Sequence, residues 1–191
     1  MHDPYLLKDM DRAVERIKTA LSNKEKVTIY GDYDVDGVTS VTVLYTYLKE
    51  LGADVLFRIP KREGEGYGVS CAAINELYEA GVELVITVDT GVTANAEVEY
   101  AKTLGMDFVI TDHHETDDEL PKAIAIVNPK RKDYQAQNGL RDLAGVGVAF
   151  KIAQALTKEG MIKDGQEKWL LDLVVIGTMC DSMPITDENR I

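Results

Sequence analysis

The sequence predicts an α/β domain built on a mostly parallel β-sheet flanked by helices on both faces, with a helical C-terminal third. Three observations predict it. Short β-branched runs alternate with stretches of helical period up to about residue 127. Three of those apolar runs lead straight into Asp or His, the pattern of strands that deliver side chains to the functional edge of a parallel sheet. After Lys130 the strand-like runs stop, and two apolar helical stretches take over.

The elements follow in order. From Tyr5 to Leu21 the apolar residues Leu6, Leu7, Met10, Val14, Ile17 and Leu21 recur at three- and four-residue steps, which specifies an amphipathic helix. Val27–Tyr30 (VTIY) is a buried strand, and Val38–Leu51 is a helix stopped by Gly52. Asp54–Ile59 is a second strand, halted by Pro60, and the charged glycine loop KREGEGYG follows at Lys61–Gly68. A helix from about Ser70 to Ala80 leads through Gly81 into strand Glu83–Val88. Helix Asn95–Leu104 ends at Gly105, ahead of strand Phe108–Thr111, and Ala123–Val127 is a last short strand before Asn128 and Pro129. The two late helices are Val146–Leu156 and Glu167–Ile176.

Composition narrows the setting. With 191 residues, 45% hydrophobic and 28% charged, the chain has the make-up of a globular domain. No apolar run approaches the ~20 residues of a membrane span, and the N-terminus lacks a secretory layout. Two cysteines far apart, Cys71 and Cys180, argue against a disulfide scaffold and for a reducing cytoplasm. A net charge of -12 is the opposite of the basic footprint of most nucleic-acid binders. Carboxylates that converge on cations would turn such a site into one that attracts phosphate.

Three strand ends carry the chemistry. GDYDVDG places Asp32, Asp34 and Asp36 within five residues, VDTG places Asp89, and TDHHE places Asp112, His113, His114 and Glu115. Carboxylates gathered at neighbouring strand ends repel one another and rise in pKa unless cations hold them. An oxygen-rich set with one or two imidazoles suits Mn2+ or Mg2+ better than structural zinc. The DxDxDG string is not an EF-hand loop, because the twelfth position from Asp32 is Val43 rather than Glu and a strand precedes it. Each motif alone is weak, since Asp before Thr-Gly is a common turn and histidines are often solvated. Their joint occurrence at the ends of one sheet points to a metal site.

GDYDVDGVTS, VDTG and TDHHE resemble successive motifs of the DHH phosphoesterase superfamily. The glycine loop with GYG, IVNPKR after TDHHE, LAGVGVAFK and GTMCDSMPITDENR are similar to its single-strand-specific DNA exonuclease branch, in the right order along nearly the whole chain. The resemblance implies two divalent cations, Mn2+ or Mg2+. Asp34 and Asp89 would bind one; Asp36, Asp89, His113 and Asp181 would bind the other, with Asp89 as the bridge. It assigns catalytic roles to His114, facing the scissile phosphate, to Asp32, beside the first cation, and to Asp112, orienting a histidine. Tyr30 stands where small-molecule relatives carry a histidine, which argues against a pyrophosphatase. The implied reaction is 5′→3′ hydrolysis of single-stranded DNA in repair and recombination; oligoribonucleotides and cyclic dinucleotides are the alternative substrates. Lys61, Arg62, Lys130 and Arg131 are candidate phosphate contacts, and Tyr67 a base-stacking residue. A helicase and a single-strand-binding protein are the expected partners of a monomer. On this resemblance residues 1–191 are the catalytic domain alone, without the DHH-associated and nucleic-acid-binding domains. They should then bind cations but degrade long strands weakly or not at all.

Overall fold

Runs that are apolar on both faces become strands only in a sheet covered from both sides, and that is the setting here of all but the edge run Val55–Arg58, where Leu56 and Phe57 are exposed. The computed structural model describes residues 1–61, 66–136 and 139–191. Strands β1 (Val27–Tyr30), β2 (Val55–Arg58), β3 (Leu84–Val88), β4 (Asp107–Thr111) and β5 (Ala125–Val127) form one sheet in the order β2-β1-β3-β4-β5. Every neighbouring pair is parallel, with Val27 opposite both Val55 and Leu84, Leu84 opposite Asp107, and Val109 opposite Ala125.

The helices are α1 (Met10–Asn23), α2 (Val35–Glu50), α3 (Cys71–Glu79), α4 (Asn95–Thr103), α5 (Gly145–Lys158) and α6 (Leu171–Cys180). Strand side chains alternate between two cores. Val27, Ile29, Leu84, Ile86, Val88, Val109, Ala125 and Val127 pack with residues of α1, α2 and α5. Val85, Phe108, Ile110 and Ile126 pack with α3 and α4 on the other face. Among the described residues no helix is long and apolar enough to cross a membrane.

Element boundaries shift where side chains cap helices. The Asp34 carboxylate accepts from the Gly37 amide, so α2 starts at Val35, three residues before the position that periodicity alone suggests. The first helix is shorter than expected. Pro4–Leu6 form a separate 3-10 turn, and Asp9, left-handed at φ 63°, breaks the chain before α1. The stretch expected as one helix from Glu167 to Ile176 is a 3-10 turn, Gln166–Leu170, followed by α6. Helix α6 packs against α2 through Gly177, and Thr178 is buried as well, but Val175, Ile176 and Met179 are left exposed.

Asp9 also corrects the reading of Arg131 as a phosphate contact. The Arg131 guanidinium is 7% exposed and donates to Asp9 Oδ2 at 2.6 Å, to the Ile126 carbonyl at 2.7 Å and to both Asp133 oxygens at 2.9 Å. A guanidinium with its donors so engaged ties the loop after β5 to the start of α1 rather than reaching solvent. Replacing it with Met should cost about 3 kcal/mol, because Asp9 would remain enclosed without its partner. Urea denaturation at neutral pH measures this, and a loss below ~0.5 kcal/mol would assign Arg131 to the solvated surface instead.

Candidate metal centre

Strands β1, β3 and β4 are neighbours, so the residues that follow them meet above one end of the sheet. After β1 the chain makes a tight descent into α2. Asp32 accepts from the Tyr33 amide at 2.7 Å, and Asp34 caps α2 as described. Asp36, in the first turn of α2, points inward and is buried. After β3, Asp89 adopts a left-handed backbone at φ 57°, which turns its carboxylate back over the strand end. After β4, Asp112 and His113 are buried while the His114 side chain is 46% exposed.

Three donor groups result, each with its atoms within 4.8 Å of one another: Asp32, Asp34 and Asp89; Asp36, His113 and Asp181; and Asp89, His113 and His114. His113 Nε2 lies 3.1 Å from Asp89 Oδ1, 3.6 Å from Asp181 Oδ2 and 3.7 Å from Asp36 Oδ2. None of these contacts is a hydrogen bond: among the described residues, both His113 nitrogens and Asp89 Oδ1 are buried without a partner. Burial also holds the His113 pKa below its usual range, so the ring is neutral and its approach to Asp89 is not an ion pair. Neighbouring donors around an octahedral cation lie about 3 Å apart, given metal–oxygen distances near 2.1 Å. Donors 3.1 to 3.7 Å from His113 Nε2, with that nitrogen and Asp89 Oδ1 orphaned, make a set that is mostly oxygen with one imidazole and fits Mn2+ or Mg2+.

The charges are arranged in two layers. Burial, and then the charges of Asp36, Asp112 and Asp34, push the Asp89 pKa up to about 10. Burial likewise raises Asp36 and Asp32. Behind them Asp112 is fully engaged. Its Oδ1 accepts from the His113 amide at 2.7 Å, the His114 amide at 3.1 Å and His114 Nδ1 at 2.7 Å, and its Oδ2 from the Val92 amide at 3.0 Å. Burial opposes ionisation of Asp112, but the His114 ring and these amides hold its pKa below the usual range. The same hydrogen bond raises His114 to about 9, so at neutral pH the ring is a cation at the mouth of the cluster.

The structure brings together Asp32, Asp34, Asp36, Asp89, Asp112, His113, His114 and Asp181. Tyr67 stands at the rim, its hydroxyl 3.3 Å from His114 Nε2. Tyr30 is buried at the end of β1 and donates to the Gly68 carbonyl, which pins the loop that carries Tyr67. Lys130 is half-buried and close enough to oppose the charge on His114; Lys61 is exposed at the loop's start. Arg62 lies outside the described residues.

Sequence reasoning missed the supports contributed by α5 and α6. The amides of Gly145 and Val146, at the start of α5, donate to the two Asp36 oxygens at 2.7 and 2.9 Å. A Cβ on Gly145 would stand 2.5 Å from Asp89 Oδ1, and one on Gly177 would stand 2.9 Å from Asp36 Oδ1. Both glycines therefore let a helix close on a carboxylate. Asn128, buried after β5, donates to the His114 carbonyl at 3.0 Å. The visible signals were the glycines of LAGVGVAFK and GTMCD and the Asn of VNPK, whose partners lie far away in the chain.

The chain is similar to known proteins over most of its length. Residues 26–178 match the family described as DHH family, N-terminal domain. Over 190 residues the chain is 50% identical to the single-stranded-DNA-specific exonuclease RecJ of Bacillus subtilis (strain 168), covering 100% of this chain and 23% of that protein. A crystal structure of exonuclease RecJ bound to manganese superposes with a TM-score of 0.85 at 33% identity, covering 96% of this chain and 46% of that one. RecJ from Thermus thermophilus, in complex with Mn2+, gives 0.80 at 29% identity, covering 96% of this chain and 26% of that one. The chain thus spans about a quarter of the length of the curated Bacillus relative.

The pKa shifts predict how the metal-free protein responds to pH. Asp89 and His114 both hold protons more tightly folded than unfolded. Their contribution to stability is therefore present at lower pH and lost as pH rises through their folded values. Thermal melts in a chelator should show stability falling from about pH 7 to 9, and saturating Mn2+ should weaken the trend by displacing the Asp89 proton. A metal-free melting temperature that climbs over that interval would contradict the assignment.

Proposed function

The chain belongs to the DHH family, and from that membership and the geometry above we propose that residues 1–191 form a catalytic domain that hydrolyses phosphodiester bonds with two divalent cations. One observation carries the proposal: Asp89 belongs to the donor group of Asp32 and Asp34 and also stands 3.1 Å from His113, the centre of the group with Asp36 and Asp181. A shared carboxylate is the device that holds two cations close enough to act on one phosphate. Asp34 and Asp89, with Asp32 beside them, would hold one cation, and Asp36, Asp89, His113 and Asp181 the other. Mn2+ or Mg2+ bound there would supply Lewis acidity toward the phosphate and a more acidic water.

The remaining roles belong to the protein. Asp112 fixes the His114 ring and keeps it protonated, so that His114 donates to a non-bridging phosphate oxygen as charge develops. Tyr67, 58% exposed, offers a ring for stacking a base next to that phosphate. Lys130 supplies positive charge beside a cluster that would repel phosphate without its cations, and Lys61, at the start of the glycine loop, is the second candidate phosphate contact. Single-stranded DNA degraded 5′→3′, in repair and recombination, is the substrate and setting we assign, supported by the likeness to the RecJ exonucleases. A helicase that exposes the strand and a single-strand-binding protein that coats it are the partners such a substrate calls for. The cysteines among the described residues are free and exposed, which supports a reducing cytoplasm, and a monomer is the state we assign.

Calorimetric titration should show two Mn2+ per chain, with Asp89→Asn weakening both by about a hundredfold. With a short 5′-phosphorylated oligodeoxynucleotide, His114→Ala should lower kcat by about 10²–10³ while leaving Mn2+ stoichiometry unchanged. Absence of Mn2+ uptake would falsify the two-cation reading. Faster cleavage of oligoribonucleotides than of single-stranded DNA would reassign the substrate.

A further inference from the structure

Helix α5 touches the candidate centre at its start and the C-terminal segment further along. Its first turn holds Asp36. Six residues on, about 9 Å along the axis, it carries Lys151, whose side chain is 1% exposed. A buried ammonium is costly unless it is paired and hydrogen-bonded. Lys151 Nζ donates to Glu188 Oε1 and, at 2.8 Å, to the His2 carbonyl. The His2 amide donates to the same glutamate oxygen at 3.2 Å, and His2 Nε2 meets Asp187 at 2.6 Å. Asn189 Nδ2 completes the clasp, donating to the Asp142 carbonyl at 2.7 Å and to the Pro184 carbonyl at 3.0 Å.

The clasped segment is the one that leaves Asp181. Asp181 caps the C-terminus of α6, and the left-handed Ser182 (φ 57°) turns the chain back toward α5. At 28% exposure Asp181 is the least enclosed of its donor group, against 5% for His113 and 2% for Asp36. It also sits on a helix whose Val175, Ile176 and Met179 are uncovered. Gly177, closed against Asp36 and Thr39, restrains α6 on one side of Asp181. Beyond Ser182, Met183 packs on the cluster of Val43, Ala144, Val146 and Phe150, and among the described residues the first side-chain hydrogen bonds and ion pairs to the rest of the fold are those at Asp187, Glu188 and Asn189.

We propose that Lys151, acting through Glu188, is a positioning residue for the cation of Asp36, His113 and Asp181. The clasp fixes the path of the chain after Asp181, so that α5 places Asp36 with its first turn and Asp181 with its middle. This rests on the two-cation reading above. It also makes the two cations unequal: Asp32, Asp34 and Asp89 come from the ends of β1 and β3, so their cation shares only Asp89 with the one that the clasp positions.

Lys151→Met separates the possibilities in two measurements on the whole chain. In metal-free protein, hydrogen exchange of the Asp181, Ser182 and Met183 amides, which bond back to α6, should accelerate at least about tenfold, while Gly145 and Val146 stay protected. On Mn2+ titration one site should weaken about ten- to a hundredfold and the other keep its affinity. Glu188→Gln, which retains a hydrogen-bonding group without the charge, should give the same one-site effect at smaller amplitude; it carries the test if Lys151→Met does not fold. Unchanged exchange at 181–183, or two affinities that hold or fall together, would overturn the positioning role. A parent chain that takes up no Mn2+ overturns the two-cation reading itself, and this role with it.

Discussion

Mutual repulsion among carboxylates at the ends of β1, β3 and β4 is the constraint around which the rest of the molecule is arranged. Asp36, Asp89 and Asp112 are all buried within one small volume, and a fold does not hold such groups ionised without specific support. Each receives a different kind. Asp112 has three backbone amides and a histidine ring, Asp36 has the amides of a helix start, and Asp89 has no hydrogen-bond partner on its Oδ1 among the described residues. The gradient from fully satisfied to orphaned runs from the support toward the centre of the cluster, which is where a cation belongs.

Helix α5 explains why the last third of the chain is needed although it adds no strand among the described residues. Its first turn and its Gly145 lie against Asp36 and Asp89, its apolar face packs on the sheet, and its interior carries Lys151. A helix start is also a region of partial positive charge, favourable beside a carboxylate. The same element therefore buries the core, offsets charge and spaces two donors. A shift of α5 along its axis would disturb all three at once.

The parallel sheet is legible in the sequence because VTIY, ELVITV and the runs after them are β-branched, short and bounded by turn residues, and because burial on both faces erases any polar alternation. The acidic strand ends are legible for the same reason: each follows its strand directly. What stays hidden depends on groups with no residue signature or with remote partners. The amides of Gly145 and Val146 are backbone and look like any others in a sequence. Arg131 reads as loop charge in NPKR, yet its partner Asp9 lies 122 residues away and falls inside the first predicted helix. The early start of α2 is hidden because Asp34 reads as a ligand, when its carboxylate is also the helix cap. Lys151 sits in a run that reads as ordinary apolar helix, and only the return of the C-terminal segment shows why a lysine is tolerated there.

The left-handed backbone at Asp89 has a consequence for the tolerance of that position to change. Among residues with a Cβ, Asp and Asn enter this conformation most readily, because a short polar side chain can bond locally. Glutamate would keep the charge but fit the turn less well, and alanine would lose the charge and gain strain. Asparagine alone keeps the shape while removing the negative charge. The permitted alphabet at this site is thus set twice, once by the main chain and once by what the side chain must hold, and the two restrictions overlap at a single letter.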